Sequence, residues 1–267
     1  MNCLHIIFSK DRALQLKAQL DSIRMFVRGS IKHVVLWTSS PEHSESYSKV
    51  ISEYPDFLFI KEKDFKLNVQ SLLYCASEPY VFFTPDDGLF IRKVDIDDLA
   101  TPAIIRDFIV SLRLGDHLTK SHPVGNKDQA LPLFSHREIF DDGNLTFDWN
   151  EGVFDWGYPL ALDGHIFDRR QMLGWLCLLQ FRSPTSLEIQ LQQFKALHFK
   201  KGLCKTSSSF VSLPWNAVTD EIANLNGGTG TDVFLSAFED GKKIATDHIY
   251  GSLPVSCHQE YPLEFVK

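Results

Sequence analysis

The sequence predicts an α/β fold with a mainly parallel sheet flanked by helices. Short apolar runs alternate with segments of helical periodicity over the first ninety residues, which favours right-handed crossovers between parallel strands. The 267 residues are enough to bury a sizeable core in one large domain. Polar residues follow several of the apolar runs, and ligands bind at such strand ends in sheets of this kind.

The first half is predicted to contain four strands separated by three helices. Each strand is a short, continuous apolar run of the kind that is buried on both faces, and each helix has apolar residues three or four positions apart. The predicted strands are 4–8, 31–37, 57–60 and 80–83, and the predicted helices are 14–26, 47–54 and 68–76.

The second half is less regular, and its predicted elements are shorter. The predicted strands are 108–112, 158–162 and 210–213, the predicted helices begin at 169, 183 and 232, and residues 115–128 are predicted to be a polar loop. Ser183 or Thr185 is expected to cap the middle helix, with Glu188 in its first turn. The glycine-rich stretch 224–231 is expected to be a loop that closes over a ligand, or an ordinary linker.

The fourth strand ends in the motif on which the functional prediction depends. Thr84 and Pro85 close the strand, two adjacent carboxylates follow at Asp86 and Asp87, and Gly88 allows a sharp turn. Oxygen ligands held at a fixed place suit Mn²⁺ or Mg²⁺, especially when a substrate phosphate completes the coordination shell. A solvated Asp-Gly turn is the alternative.

Composition excludes some functional classes. The net charge of −7 argues against a general nucleic-acid-binding protein, and no apolar run is long enough to span a membrane. The start of the chain lacks the features of a signal peptide. The five cysteines are odd in number and form no C-x-x-C motif, which indicates free thiols in a reducing compartment. A cytoplasmic location is therefore expected.

The order of these motifs resembles the nucleotide-binding half of GT-A fold glycosyltransferases, most closely the family-2-like enzymes. The resemblance rests on a strand followed by SKDR, two further strands, a helix near Asn68, and a strand followed by TPDDG. A later run, ALDGHIFDRRQMLGWL followed by SPTSLEIQL, extends it to about residue 191. Ser9-Lys10-Asp11-Arg12 departs from the usual Thr-x-Asn-Arg, and a single Glu188 stands where Glu-Asp is common.

The resemblance implies transfer of a sugar from a nucleotide-sugar donor, a UDP- or GDP-sugar, to a hydroxyl of a glycan or another acceptor. Residues 1–115 would form the nucleotide-sugar-binding half. Residues 116–267 would form the acceptor-binding half and the C-terminal tail of the same domain. The leaving group is a diphosphate, so a divalent cation, Mn²⁺ or Mg²⁺, is expected to neutralise its charge.

The resemblance also implies a role for each nucleotide-side residue. Asp87 would be the direct metal ligand, and Asp86 would contact the ribose or the metal, with the reverse assignment left open. His258 would be a further ligand, or else a surface histidine of the tail. The remaining nucleotide-side residues are expected near the base and ribose, or in a solvated loop: Ser9, Asp11, Arg12 and Asn68.

An inverting reaction needs a carboxylate that takes the acceptor proton. Glu188 is the first candidate by position and Asp163 the second. A retaining mechanism stays open because the GT-A fold serves both outcomes. Two other functions stay open as well: a nucleotidyltransferase that acts on a sugar phosphate, and a non-catalytic nucleotide-binding protein of the same fold.

Overall fold

The structure is a computed structural model that describes residues 1–135, 143–197, 200–218 and 225–267. The strands are β1 Cys3–Lys10, β2 Val27–Arg28, β3 Ile31–Thr38, β4 Leu58–Lys61, β5 Tyr80–Pro85, β6 Gly88–Phe90, β7 Val94–Asp95, β8 Phe108–Ser111, β9 Lys120–Ser121, β10 Lys127–Asp128, β11 Asn144–Phe147, β12 His165–Asp168, β13 Lys201–Lys205, β14 Phe210–Ser212, β15 Lys243–Ile244 and β16 Phe265–Val266. The helices are α1 Ala13–Phe26, α2 Ser44–Glu53, α3 Phe65–Cys75, α4 Ile96–Leu99, α5 Pro102–Asp107, α6 Arg169–Leu178, α7 Pro184–Leu191 and α8 Thr231–Glu239.

The central sheet has eight strands in the order β11-β13-β8-β12-β5-β1-β3-β4. Strands β5, β1, β3 and β4 are parallel to one another, β8 is parallel to β13, and β12 runs antiparallel between β5 and β8. The predicted α/β fold with a mainly parallel sheet is therefore confirmed. Since β12 is antiparallel to its neighbours, it begins at the edge of the sheet where β1, β5 and β8 end.

Apolar side chains pack against both faces of this sheet. In β1, Ile6 and Phe8 belong to the core under α3 and α6, whereas Ile7 belongs to the core under α1 and α2. This alternation follows from the two-residue period of a strand, and it explains why β1 reads as one continuous apolar run. The sheet combines strands from before and after residue 115, and the division of the chain at that point stays a prediction.

Several predicted elements are corrected by the structure. The predicted strand 158–162 is wrong: these residues are buried turns, and the strand that follows them is β12. The stretch 115–128 contains the short β9 and β10 rather than only loop. Helix α3 begins at Phe65, capped by the Asp64 side chain, so Asn68 lies inside it. Ser183 caps α7 as expected, but Glu188 is its fifth residue and lies beyond the first turn.

Two further findings concern the glycine-rich stretch and the membrane-spanning potential of the helices. Asn224, the first residue of the predicted glycine-rich loop, lies outside the described residues, and 225–230 have irregular structure. Among the described residues, no helix is long and apolar enough to cross a membrane.

Candidate functional site

The two carboxylates after β5 share one buried guanidinium. Arg12 Nη1 donates to Asp86 Oδ1 at 3.0 Å and to Asp87 Oδ2 at 2.8 Å. The Asp86 side chain is 4% exposed and that of Asp87 18% exposed, so Asp87 is the carboxylate that solvent reaches. The pair is thus not a solvated turn, because a buried cation holds both side chains in place.

The turn between β1 and α1 explains why Arg12 reaches these carboxylates. Asp11 adopts a left-handed backbone conformation with φ of 53°, which aspartate tolerates better than most residues. Its Oδ1 accepts a hydrogen bond from Ser40 N at 2.7 Å, which ties the turn to the loop after β3. A further contact fixes the guanidinium, because Arg12 Nη2 donates to the carbonyl oxygen of Asn216 at 2.6 Å.

Asp86 is also bound by the end of β1. Its Oδ2 accepts hydrogen bonds from Ser9 Oγ at 2.8 Å and from Lys10 N at 3.1 Å. Both of its oxygens therefore have donors once Arg12 is counted. Burial raises the pKa of Asp86 to about 6, and the neighbouring Arg12 guanidinium opposes that rise.

A second buried cluster surrounds Asp163. Arg113 donates from Nη1 to Asp163 Oδ2 at 3.1 Å and from Nη2 to Asp155 Oδ1 at 3.2 Å. Ser212 Oγ donates to the same Asp163 oxygen at 2.7 Å, and His258 Nε2 lies 3.7 Å from it. Asp163 Oδ1 and His258 Nδ1 are buried without hydrogen-bond partners among the described residues, so each has capacity for a ligand or water.

Glu188 binds the turn that carries Asp163. Its Oε2 accepts a hydrogen bond from Leu162 N at 2.7 Å, one residue before Asp163. Burial of the carboxylate raises the pKa of Glu188, and the Leu162 hydrogen bond and Arg113 act in the opposite direction. A carboxylate with a raised pKa is a better proton acceptor near neutral pH than an ordinary one.

The two clusters are joined through Ser212. Its strand β14 pairs with β6, so that Ser212 lies opposite Gly88, and Leu213 N donates to the Asp87 carbonyl oxygen at 2.9 Å. On its other side Ser212 forms a parallel bridge with His258. The carboxylates after β5 and the Asp163 cluster are therefore neighbours at one edge of the sheet.

The predicted site residues form two groups, and Asp11 and Asn68 lie outside both. Ser9, Arg12, Asp86 and Asp87 form the first group, and Asp163, Glu188 and His258 lie in or beside the Asp163 cluster. Asp11 binds the loop at Ser40, and Asn68 Oδ1 accepts from the backbone nitrogens of residues 63 and 64. The chemical role of each residue stays a prediction.

The carboxylates after β5 are the residues that could help to hold a divalent cation. Among the described residues, no group of three or more His, Cys, Asp or Glu side chains is arranged to hold a metal alone. Each oxygen of Asp86 already accepts a hydrogen bond and His258 lies 3.7 Å from Asp163, which leaves Asp87 as the more accessible carboxylate. Mg²⁺-type ions are often held by one or two carboxylates together with substrate phosphates, and the residues fit that mode of binding.

Sequence reasoning missed three members of the second cluster, Arg113, Asp155 and Ser212. Arg113 lies two residues beyond the end of β8 and directly follows the predicted strand 108–112. An arginine just beyond a buried strand is a usable signal, since β8 ends at the ligand-binding edge of the sheet. Ser212 carried no such signal, because it lies inside an apolar strand whose pairing with β6 cannot be deduced from the sequence.

Comparison with known proteins gives one significant curated relative. The bifunctional glycosyltransferase pgtA of Dictyostelium discoideum is 27% identical over 179 residues. The resemblance to glycosyltransferases is confirmed. The match covers 61% of this chain but only 23% of the relative, so most of that protein has no counterpart here. No protein-family model matches the chain.

Solved structures of TarS from S. aureus show a distant likeness. The crystal structure of residues 1–349 with UDP-GlcNAc is 14% identical, with a TM-score of 0.49 over 79% of this chain and 57% of that one. The complex with UDP is 13% identical, also with a TM-score of 0.49, over 79% and 59%.

Proposed function

We propose that this protein is a glycosyltransferase that moves a sugar from a nucleotide-sugar donor to an acceptor hydroxyl. One observation carries the proposal. Two acidic clusters, one after β5 and one before β12, are joined through Ser212 at a single edge of the mainly parallel sheet. Such an edge is where α/β folds bind their ligands. The similarity to a curated glycosyltransferase supports the same conclusion.

The carboxylates after β5 serve the donor. Asp87 would hold Mn²⁺ or Mg²⁺ when the donor is bound, and Asp86 would keep Arg12 in place or contact the ribose. When bound, the cation neutralises the charge that develops on the leaving diphosphate. Ser9, Asp11 and Arg12 line the nucleotide side, and the donor is a UDP- or GDP-sugar.

The Asp163 cluster serves the acceptor. Glu188 takes the proton of the acceptor hydroxyl as that hydroxyl attacks the anomeric carbon, which gives inversion. Its raised pKa supports this role, and Asp163 is the alternative base. A network of Arg113, Asp155 and Ser212 fixes Asp163, so the side chains next to the acceptor need little reorganisation during reaction.

A nucleotide-binding screen tests the proposal. The melting temperature of the protein is measured with UDP, GDP, CMP and dTDP, each with and without Mn²⁺, and positive pairs are measured by calorimetry. We expect one diphosphate to bind, and to bind more tightly with Mn²⁺. Tighter binding of a nucleoside triphosphate and a sugar phosphate, measured in the same assay, would favour a nucleotidyltransferase. Donor binding without transfer to any glycan acceptor would favour a non-catalytic protein.

A further inference from the structure

Arg12 has an unusual position for a residue beside a metal-binding carboxylate. The whole residue is 6% exposed, and a single nitrogen, Nη1, bridges Asp86 and Asp87. The guanidinium is held independently of Asp87, because Asp86 and the Asn216 carbonyl oxygen also bind it. It would therefore stay in the site if its contact with Asp87 were lost.

The contact with Asp87 occupies one of the two carboxylate oxygens that could bind a metal ion. Asp87 Oδ2 accepts from Arg12 at 2.8 Å, and Asp87 is the more exposed of the two carboxylates. A divalent cation bound to Asp87 would compete for this carboxylate and would lie beside a buried positive charge. Repulsion between like charges is strong where water is largely excluded.

The net charge of Arg12, Asp86 and Asp87 decides which ions can bind beside them. One guanidinium and two carboxylates leave a net negative charge. A free divalent cation would make the cluster positive, whereas a cation that arrives with a diphosphate would leave it negative. Arg12 Nε is also buried without a hydrogen-bond partner among the described residues, so the guanidinium retains an unused N–H.

We propose that Arg12 is an internal counter-cation that keeps free divalent cations out of the Asp86–Asp87 pair. The cation then enters only together with the donor diphosphate, and Arg12 exchanges its contact with Asp87 for one with the diphosphate. Metal and nucleotide consequently bind with strong mutual dependence. This inference rests on the proposed metal-assisted nucleotide site and specifies how that site is loaded.

Binding of Mn²⁺ to the nucleotide-free protein tests the inference without any measurement of activity. Calorimetry and the electron paramagnetic resonance signal of free Mn²⁺ are recorded for the wild type, Arg12→Met and Arg12→Lys. Arg24→Met is the matched control, because Arg24 forms an exposed ion pair with Asp56. We expect Arg12→Met to bind free Mn²⁺ roughly 10- to 100-fold more tightly than wild type, the usual range for one charged contact. Arg12→Lys and Arg24→Met should stay near wild type.

Equal affinity of wild type and Arg12→Met for free Mn²⁺ would overturn the inference. If Arg12→Met does not fold, Arg12→Gln replaces it, and the wild type gives a second criterion. Its affinity for Mn²⁺ must rise at least about tenfold when the nucleotide is present. If the wild type binds the nucleotide, an Mn²⁺ affinity that is equal with and without the nucleotide also overturns the inference. If the wild type binds no nucleotide while Arg12→Met gains Mn²⁺, the proposed function fails and the counter-cation role stands.

Discussion

Two arginines, Arg12 and Arg113, each bind a pair of carboxylates in the interior, and each pair includes a predicted site residue. A buried ion pair pays a large desolvation cost, so it is weak evidence for stability alone. Removing one partner is strongly unfavourable, however, because it leaves the other charge buried without compensation. These pairs therefore fix carboxylate positions at the ligand-binding edge.

At this scale the first prediction concerns Asp87. We expect Asp87→Asn to abolish Mn²⁺-dependent nucleotide binding, because the change removes a ligand charge and preserves the shape of the side chain. Calorimetry with the nucleotide found in the screen measures the effect. Asp98→Asn is the control, since Asp98 is an exposed aspartate of α4. Equal affinity for the nucleotide in Asp87→Asn and the wild type would refute the metal assignment.

The second prediction concerns the base. We expect Glu188→Gln to preserve donor affinity and to lower turnover by roughly 10²- to 10⁴-fold, because an amide cannot accept a proton at neutral pH. Asp163→Asn should have a smaller effect. Turnover and donor affinity are measured for both variants. Near-normal turnover of Glu188→Gln with a collapse in Asp163→Asn would move the role to Asp163, and small effects in both would favour retention.

The sequence predicted the individual side chains of the site better than their partners. Asp86, Asp87 and Asp163 are recognisable because they adjoin buried apolar runs. The partnership of Arg12 with both carboxylates could not be deduced, because it depends on the left-handed conformation of Asp11. The contact of His258 with Asp163 depends on a bridge to Ser212, which brings together positions far apart in the chain.

At the scale of elements, the run 158–168 shows where periodicity fails. Leu160, Ala161 and Leu162 are as buried as strand residues, so their apolar pattern predicted a strand. The chain turns there instead, and Gly164, with φ of 76°, directs it into β12. These buried residues lack the hydrogen bonds of a strand, and α7 supplies one in their place: Glu188 accepts a hydrogen bond from Leu162 N. Such support comes from tertiary contacts that periodicity does not encode.

A third prediction concerns Gly88, which starts β6 beside Asp87. A Cβ at this position would overlap the ring of Phe210, which is fully buried and has little room to move. We expect Gly88→Ala to lower the free energy of unfolding by roughly 1–3 kcal/mol. Gly174→Ala is the matched control, because Gly174 lies in α6 with no atom near its Cβ position.

Urea denaturation of the two glycine variants measures this contrast. Gly174→Ala should raise the free energy of unfolding by about 0.5–1 kcal/mol, since alanine favours a helix more than glycine does. A Gly88→Ala variant as stable as the wild type would show that β14 can move away from β6. The link between the two acidic clusters would then be less rigid than the packing indicates.

At the scale of the whole molecule, one sheet unites the two predicted halves. Strand β12 comes from the second half and inserts between β5 and β8 of the first. The alternation of strands and helices predicted the parallel part of this sheet correctly. It could not predict the insertion of β12, because an antiparallel neighbour in the middle of the sheet leaves no local signal. This insertion brings Asp163 beside the end of β5.

The last prediction is the pH dependence of folding, which depends on two histidines of the sheet, the buried His5 and the half-buried His33. The Nδ1 atoms of His5 and His33 are 3.0 Å apart, and His5 Nε2 lies 2.8 Å from Thr84 Oγ1. Burial lowers the pKa of His33 from 6.5 to about 4 and lowers that of His5 well below 6.5. The folded protein therefore excludes protons that the unfolded chain binds. The contribution of these histidines to stability should be full above about pH 6.5 and fall as the pH decreases toward 4. Asp86, whose pKa burial raises to about 6, contributes in the opposite direction. The slope should reach about 1.4 kcal/mol per pH unit for each such histidine.

Urea denaturation between about pH 7.5 and 4.5 measures this slope. His33→Gln should reduce the slope without removing it, because burial also lowers the pKa of His165. Exposed His248 provides the control, His248→Gln, which should keep the wild-type slope. An unchanged slope in His33→Gln would mean that this histidine can take up a proton without disrupting the sheet.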